Sequence, residues 1–156
     1  MTQVLTIKNL NELSESELIR LRELTVSDHQ EILGKSFGES IEDWESAFAD
    51  EVLGLCFFYD KQPVGLTLFR KQSSRVASIH GLKIATHYQC RGFGHQAFGL
   101  AVDVLRVAWP KITVLQLAVD AVNKPAIKIY TAAGMNDSGP IFQGPNGLEH
   151  RMKMKL

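Results

Sequence analysis

No stretch of this sequence is apolar for the roughly 18 residues that a membrane-spanning helix needs. The opening "MTQVLTIKNLNELSESE" lacks the basic-then-apolar order of a secretory signal, so a cytoplasmic protein is the expectation. Cysteine is scarce. Cys56 and Cys90 match no metal-ligand spacing and imply no disulfide framework, and no metal is expected. Charge of one sign is also missing: 17 Lys and Arg balance 17 Asp and Glu, so there is no overall basic bias towards nucleic acid. Repeats, low-complexity tracts and linkers are absent too. With 156 residues, 45% of them hydrophobic, residues 1–156 are expected to form one domain with a sizeable core.

What is present is a succession of strand-like and helix-like segments. "VLTIKN" (residues 4–9) alternates like a strand. "LSESEL" opens a helix expected to run to about Asp28, with Ser14 and Glu17 at capping-box spacing and Leu13 and Leu18 as a hydrophobic staple. "LGKSFGES" (residues 33–40) reads as loop, and "SIEDWESAF" as a helix starting at Ser40 with Ile41, Trp44 and Phe48 on one face. Residues 53–59 and 64–70 form a hairpin around the polar turn "DKQP". A further strand spans residues 75–84, on which Ser78, His80, Leu82 and Ile84 share parity and hence a face.

From Gly94 to Ala108 the apolar residues follow the helical template, and Pro110 lies just past the end. Residues 112–119 form a strand. "NKPAIKIYTAAG" is a short helix with Asn123 as cap, Pro125 in its first turn and Gly134 at C′. "EHRMKMKL" closes the chain as a strand. The order β α α β β β α β α β describes a mixed α/β domain, a central mixed sheet flanked by helices. Its later strands are joined through helices, so at least one parallel pair is expected.

Between a strand and a helix stands "QCRGFG" (residues 89–94). Glycines let backbone approach a phosphate, and free N–H groups at a helix start attract an anion. A plain strand-to-helix turn has glycines as well. "GFGHQA" also satisfies the dinucleotide fingerprint G-x-G-x-x-G/A, with Asp120 as the acidic ribose partner. Against a nicotinamide-dependent oxidoreductase stand the long "ATHYQCR" insertion after Ile84, the preceding hairpin and the short remaining chain. A Walker loop is excluded because no Gly-Lys-Ser/Thr follows at the required spacing.

"QCRGFG" matches the Q/R-x-x-G-x-G/A signature of the GNAT superfamily of acyl-CoA N-acyltransferases. "LAVDAVNKPAIKIYTAAGM" resembles that family's second motif, with Leu117, Val119, Asn123, Ala126, Tyr130 and Gly134 in register. Met135 stands where the family usually has Phe. Together the motifs cover residues 75–135.

The resemblance implies a GNAT-like fold, acetyl-CoA as cosubstrate, and direct acetyl transfer to a primary amine in a ternary complex. It implies that the loop from Gln89 to His95 wraps the pyrophosphate, chiefly through the N–H groups of Arg91, Gly92, Phe93, Gly94 and His95. The Arg91 side chain adds charge or is simply solvated. By similarity, Ile84 N–H holds the pantetheine arm and Leu82 N–H points at the thioester carbonyl, as an oxyanion donor. His80, nine residues before Gln89, is similar to a histidine that acts as base through water in arylalkylamine acetyltransferases. A hydrogen-bonded core or interface histidine is the plainer reading. Ser78 stands where histone-type relatives carry a glutamate base.

Tyr130 lies on an apolar helix face with Ala126, Ile129 and Ala133, which suits a core tyrosine. In the family the tyrosine protonates or orients the departing sulfur. Asn123 caps its helix, and by resemblance it also contacts pantetheine. Cys90 as a covalent acyl carrier is set aside, because direct attack needs no enzyme nucleophile.

The acceptor is a small-molecule or peptide amine that the sequence does not choose. Its site is expected at "LGKSFGESIEDWE" and "DSGPIFQGPNG". Glu39, Glu42, Asp43 and Trp44 there can receive a cationic amine, but a solvated helix start is the plainer reading of them. Homodimers are a family habit, and no interface follows from the sequence. The alternative from another class is a non-catalytic acyl-CoA-binding module with the same cradle. His80 and Tyr130 favour the enzyme.

Overall fold

The structure is a computed structural model that describes residues 3–26, 35–144 and 147–156. Strand β1 (Thr6–Asn9) runs into a 3-10 turn (Leu10–Glu12) capped by Asn9. Helix α1 (Glu15–Arg22) starts on the expected capping box: Glu17 N–H donates to Ser14 Oγ at 3.1 Å, and Ser14 N–H donates to Glu17 Oε1 at 3.0 Å. The helix closes at Glu23, before the expected end near Asp28, which lies outside the described residues.

Helix α2 (Phe37–Ser46) begins one turn earlier than the sequence suggested. Ser36 and Glu39 form the capping box, so part of the expected loop is helical and Ser40 is a buried residue of the first turn. Phe37 and Ile41 form its buried face. Phe48, expected on that face, lies past the helix end and is exposed.

Strands β2 (Val52–Tyr59) and β3 (Gln62–Lys71) form the expected hairpin with a tighter turn. Asp60 and Lys61 both take positive φ, which matches the right-handed twist of the strands, so Gln62 and Pro63 join β3. β4 (Val76–Ile84), α3 (Phe93–Ala108), β5 (Val114–Asp120) and α4 (Lys124–Ala132) follow as expected within a residue or two, with an additional 3-10 turn (Thr86–Tyr88) between β4 and α3. Between α4 and the last strand, where the expected order has no strand, the chain carries β6 (Asn136–Gly144), which pairs with β7 (Gly147–Lys155). Gly139, Pro140 and two register shifts break the alternation that would have marked β6 as a strand.

The mixed sheet has the order β1-β2-β3-β4-β5-β7-β6, and β4 runs parallel to β5. Each face carries its own apolar layer. α3 packs Phe93, Phe98 and Leu105 with Phe57, Phe69 and Leu115 on one side. On the other, Leu21 of α1 and Phe37 and Ile41 of α2 meet Leu66 and Leu68 of β3. Each such fully buried side chain contributes roughly 1.5–3 kcal/mol relative to exposure.

One irregularity interrupts β4. Leu68 of β3 faces His80, yet Leu66 faces Lys83, so a bulge inserts one extra residue into β4. Gly81 absorbs it at φ 66°. The expected common face of Ser78, His80, Leu82 and Ile84 is therefore corrected. Past the bulge the alternation reverses: Lys83 joins the face of His80, while Ile84 turns to the core beneath α3.

Candidate active site

β4 and β5 pair over residues 76–78 and 114–116 and then part. Gln116 Nε2 donates to Ser78 Oγ at 3.5 Å at the last paired step. The bulge bends β4 away, and a cleft of about 1260 Å³ opens between the two strands. Of the residues predicted for catalysis and for holding the cosubstrate, all but Arg91 line this cleft. The Arg91 guanidinium instead lies 5.5 Å from the centre of the Tyr88 ring.

The floor of the cleft is the start of α3. Cys90 and Gly92 take positive φ of 61° and 78°, and Gly92 is the N-cap, with no side chain capping the helix. The bond from Gln96 N–H to Gly92 O, at 3.3 Å, is the first of the helix. The N–H groups of Phe93, Gly94 and His95 thus precede the helical ladder and face the cleft as anion donors. The Phe93 ring is buried 5.2 Å from that of Tyr59, which anchors this turn. At Gly94 a methyl group would come within 2.6 Å of Ile129 Cδ1, so glycine lets α3 approach α4 closely. Gln89 closes the loop, its Nε2 donating to Ile84 O at 2.8 Å.

Ala85 N–H donates to Val64 O at 2.9 Å, so alternation turns Ile84 N–H to the opposite edge, towards the cleft. That edge is where an extended ligand arm can add as a strand. Leu82, half-buried within the bulge, also lines the cleft. Across from it, Asn123 caps α4, its Oδ1 accepting from Ala126 N–H at 3.4 Å.

Tyr130 of α4 is buried, its ring 5.4 Å from that of Phe98. Burial pushes its phenol up to about 12, so it stays a proton-bearing donor at neutral pH. His80 is open to the cleft, yet the surrounding protein and then the Arg70 and Lys35 charges lower its pKa and favour the neutral imidazole. Neutral imidazole is the form that accepts a proton. Among the described residues no three of His, Cys, Asp and Glu gather as a metal site.

The acidic residues weighed for the acceptor belong largely to the start of α2. The carboxylate of Glu39 serves the Ser36 capping box, and that of Asp43, which lines the cleft, pairs with Lys35. Glu42 is exposed and Trp44 lies over Gly54 of β2. Neither lines the cleft. The basic cleft residues Lys35, Arg70 of β3, the buried Lys83 and Lys128 escaped the sequence reading. Strict alternation along β4 would put Lys83 on the face opposite His80. The one available signal was Gly81, between a histidine and a lysine in a strand.

Comparison with known proteins places this geometry. No curated protein sequence matches the chain. The structure resembles a spermidine N-acetyltransferase from Vibrio cholerae, solved with CoA and spermine, at 19% identity and TM-score 0.74 over 97% of this chain and 95% of that one. It also resembles a GNAT-family acetyltransferase from Elizabethkingia anophelis with acetyl-CoA bound, at 13% identity and TM-score 0.68 over 97% and 98%. A third likeness is the aminoglycoside acetyltransferase AAC(6')-Ib with coenzyme A, at 20% identity and TM-score 0.75 over 97% and 94%. The model of the acetyltransferase (GNAT) family matches residues 18–135, and the chain belongs to that family.

Proposed function

We propose that the cleft between β4 and β5 holds acetyl-CoA and passes its acetyl group directly to a primary amine. The observation that carries this is the parting of β4 from β5 directly above an uncapped, glycine-started helix. The three N–H groups at the start of α3 fit a pyrophosphate, and the open edge at Ile84 fits the amide-bearing pantetheine arm. The thioester brings an activated acyl carbon and a thiolate leaving group.

The chain's own residues then divide the work. The α3 turn and Ile84 position the cosubstrate, and Asn123 flanks its path. His80, held neutral, takes the proton of the alkylammonium, directly or through one water. Leu82 N–H offers a donor to the oxyanion. Tyr130 donates a hydrogen bond to the departing sulfur and supplies its proton as the C–S bond breaks. So weak an acid does not stay deprotonated beside a thiol, so the proton shed by the attacking nitrogen as the amide forms passes to the phenolate, CoA leaves as the thiol and Tyr130 ends the step protonated. Holding both reactants together supplies much of the rate gain, and no enzyme-bound acyl group is needed.

Among the described residues no helix is long and apolar enough to cross a membrane. We place the protein in the cytoplasm, where the exposed free thiol of Cys90 would stay reduced.

Thermal unfolding with acetyl-CoA and with NAD tests the cleft's ligand. At a hundredfold excess over Kd, acetyl-CoA is expected to stabilise the protein by about 2.7 kcal/mol, several degrees for a domain of this size. NAD is expected to leave Tm unchanged. A shift with NAD and none with acetyl-CoA would overturn the reading.

A further inference from the structure

The acceptor side of the cleft carries positive charge that acetyl transfer itself leaves unused. Arg70, Leu68 and Leu66 alternate along β3 and so share one face, with Ser78, His80 and Lys83 as their partners on β4. The bulge at Gly81 therefore aligns Arg70, His80 and Lys83 in one row, with steps of about 7 Å along the strands. All three line the cleft, as does Lys35.

Negative charge does not match them. Asp43, the acidic cleft residue of α2, is paired with Lys35. Asp120 and Glu149 oppose each other on β5 and β7, on the far wall. Among the described residues, no carboxylate lies within ion-pair distance of Arg70 or Lys83. Lys83 is only 8% exposed, and its Nζ has one long contact, to Gly81 O at 3.4 Å. A buried ammonium without a partner is costly, and an incoming anion removes that cost.

We propose that the acceptor amine carries a carboxylate, which Lys83 and Arg70 bind so that the amine lies beside His80. This rests on the acetyl-transfer reading and narrows its substrate to amino acids, free or at an acidic peptide N-terminus. The arrangement selects by charge. A carboxylate gains two cationic partners, while a second ammonium in that place would meet only repulsion. Polyamines and aminoglycosides are thus poor acceptors for this cleft.

The test is steady-state release of CoA thiol with matched acceptors. Free α- and ω-amino acids are assayed beside their carboxamides and beside the diamines of equal chain length. Peptides beginning with Asp or Glu are assayed beside those beginning with Asn or Gln. The best carboxylated amine is expected to exceed both its matched partners in kcat/KM by about tenfold or more, and whichever set shows the preference separates free amino acids from peptides.

Lys83→Met and Arg70→Met should raise KM for that acceptor and bring the ratio towards one, while Lys83→Arg should preserve it. Arg70 is partly exposed, so its variant keeps the test usable if Lys83→Met fails to fold. Equal or better use of amides or diamines would overturn the proposal, as would a ratio unchanged in both variants. Turnover of none of these acceptors, with acetyl-CoA still raising Tm, would overturn the carboxylate and leave the cosubstrate site standing. Loss of the acetyl-CoA shift in the native protein would instead remove the reading beneath it.

Discussion

His80 and Lys83 stand on the same face of β4 although they lie three positions apart, because His80 pairs with Leu68 and Lys83 with Leu66. In a regular strand that spacing puts side chains on opposite faces. The bulge at Gly81 brings imidazole and ammonium onto one face, where β4 parts from β5 and the cleft opens. One inserted residue thus goes with both the cleft and the row of positive charge along its wall.

Lys83 should lower the stability of the protein in a pH-dependent way. Its pKa is pushed down to about 8 from 10.5, first by burial and then by Lys35, against the pull of Asp43 and Glu39. Arg70 and His80 share its row. Between about pH 8 and pH 10.5 the folded state binds fewer protons than the unfolded chain, so stability rises with pH across that window. Below it the full cost of the buried charge remains, roughly 3 kcal/mol at most. Lys83→Met is therefore expected to stabilise the protein near pH 7 by about 1–3 kcal/mol, a gain that fades as pH climbs through the window. Urea unfolding near neutrality and again above pH 10 measures it. No gain near neutrality would contradict the burial of an unpaired ammonium.

Gly65 guards the bulge. A Cβ there would come within 2.4 Å of Lys83 O, a backbone atom with little room to move. Gly65→Ala is expected to destabilise the fold by about 1–3 kcal/mol and to weaken acetyl-CoA binding. Denaturant midpoints and calorimetric titration check the two effects. Native stability with native affinity would show that β4 adapts freely.

His80 should leave its mark in the acid limb of the pH–rate profile. Burial, then Arg70 and Lys35, lower its pKa below 6.5, with Asp43 opposing them and Lys83 in the same row. Activity should rise as pH climbs through that lowered value, where the imidazole becomes neutral, and then level off. His80→Ala is expected to reduce kcat/KM by about a hundredfold and to remove this limb. Unchanged rates at every pH would reject the role.

Tyr130 should separate chemistry from folding. Tyr130→Phe keeps the ring and its contact with Phe98, so Tm is expected to stay within a few degrees. With the donor gone, kcat should fall by about ten- to a hundredfold while KM for acetyl-CoA changes little. Full turnover by this variant would make Tyr130 a packing residue.

Much of this was legible in the chain. Local signals gave the α1 cap, the α3 register and the Asn123–Gly134 helix, because capping and periodicity depend on near neighbours. The glycine loop pointed to the acetyltransferase (GNAT) family rather than to a dinucleotide fold because Asn123 and Tyr130 stood in register downstream. What failed was non-local. β6 hid behind Gly139 and Pro140, whose strand role depends on β7. The α2 start went to Ser40 when Ser36 offered the same Ser-x-x-acid pattern, and only burial on the sheet decides between them. Lys83 could not be seen because a bulge is a property of two strands, and sequence alternation follows one.

The most direct test of the account is an assay of acetyl-CoA with a broad panel of primary amines, reading free CoA thiol and acetylated amine together. The account predicts equal amounts of thiol and N-acetylated product with at least one amine. It also predicts intersecting double-reciprocal lines, as direct attack in a ternary complex requires. Acetyl-CoA binding without product across the panel, or parallel lines with an acetylated enzyme, would contradict it.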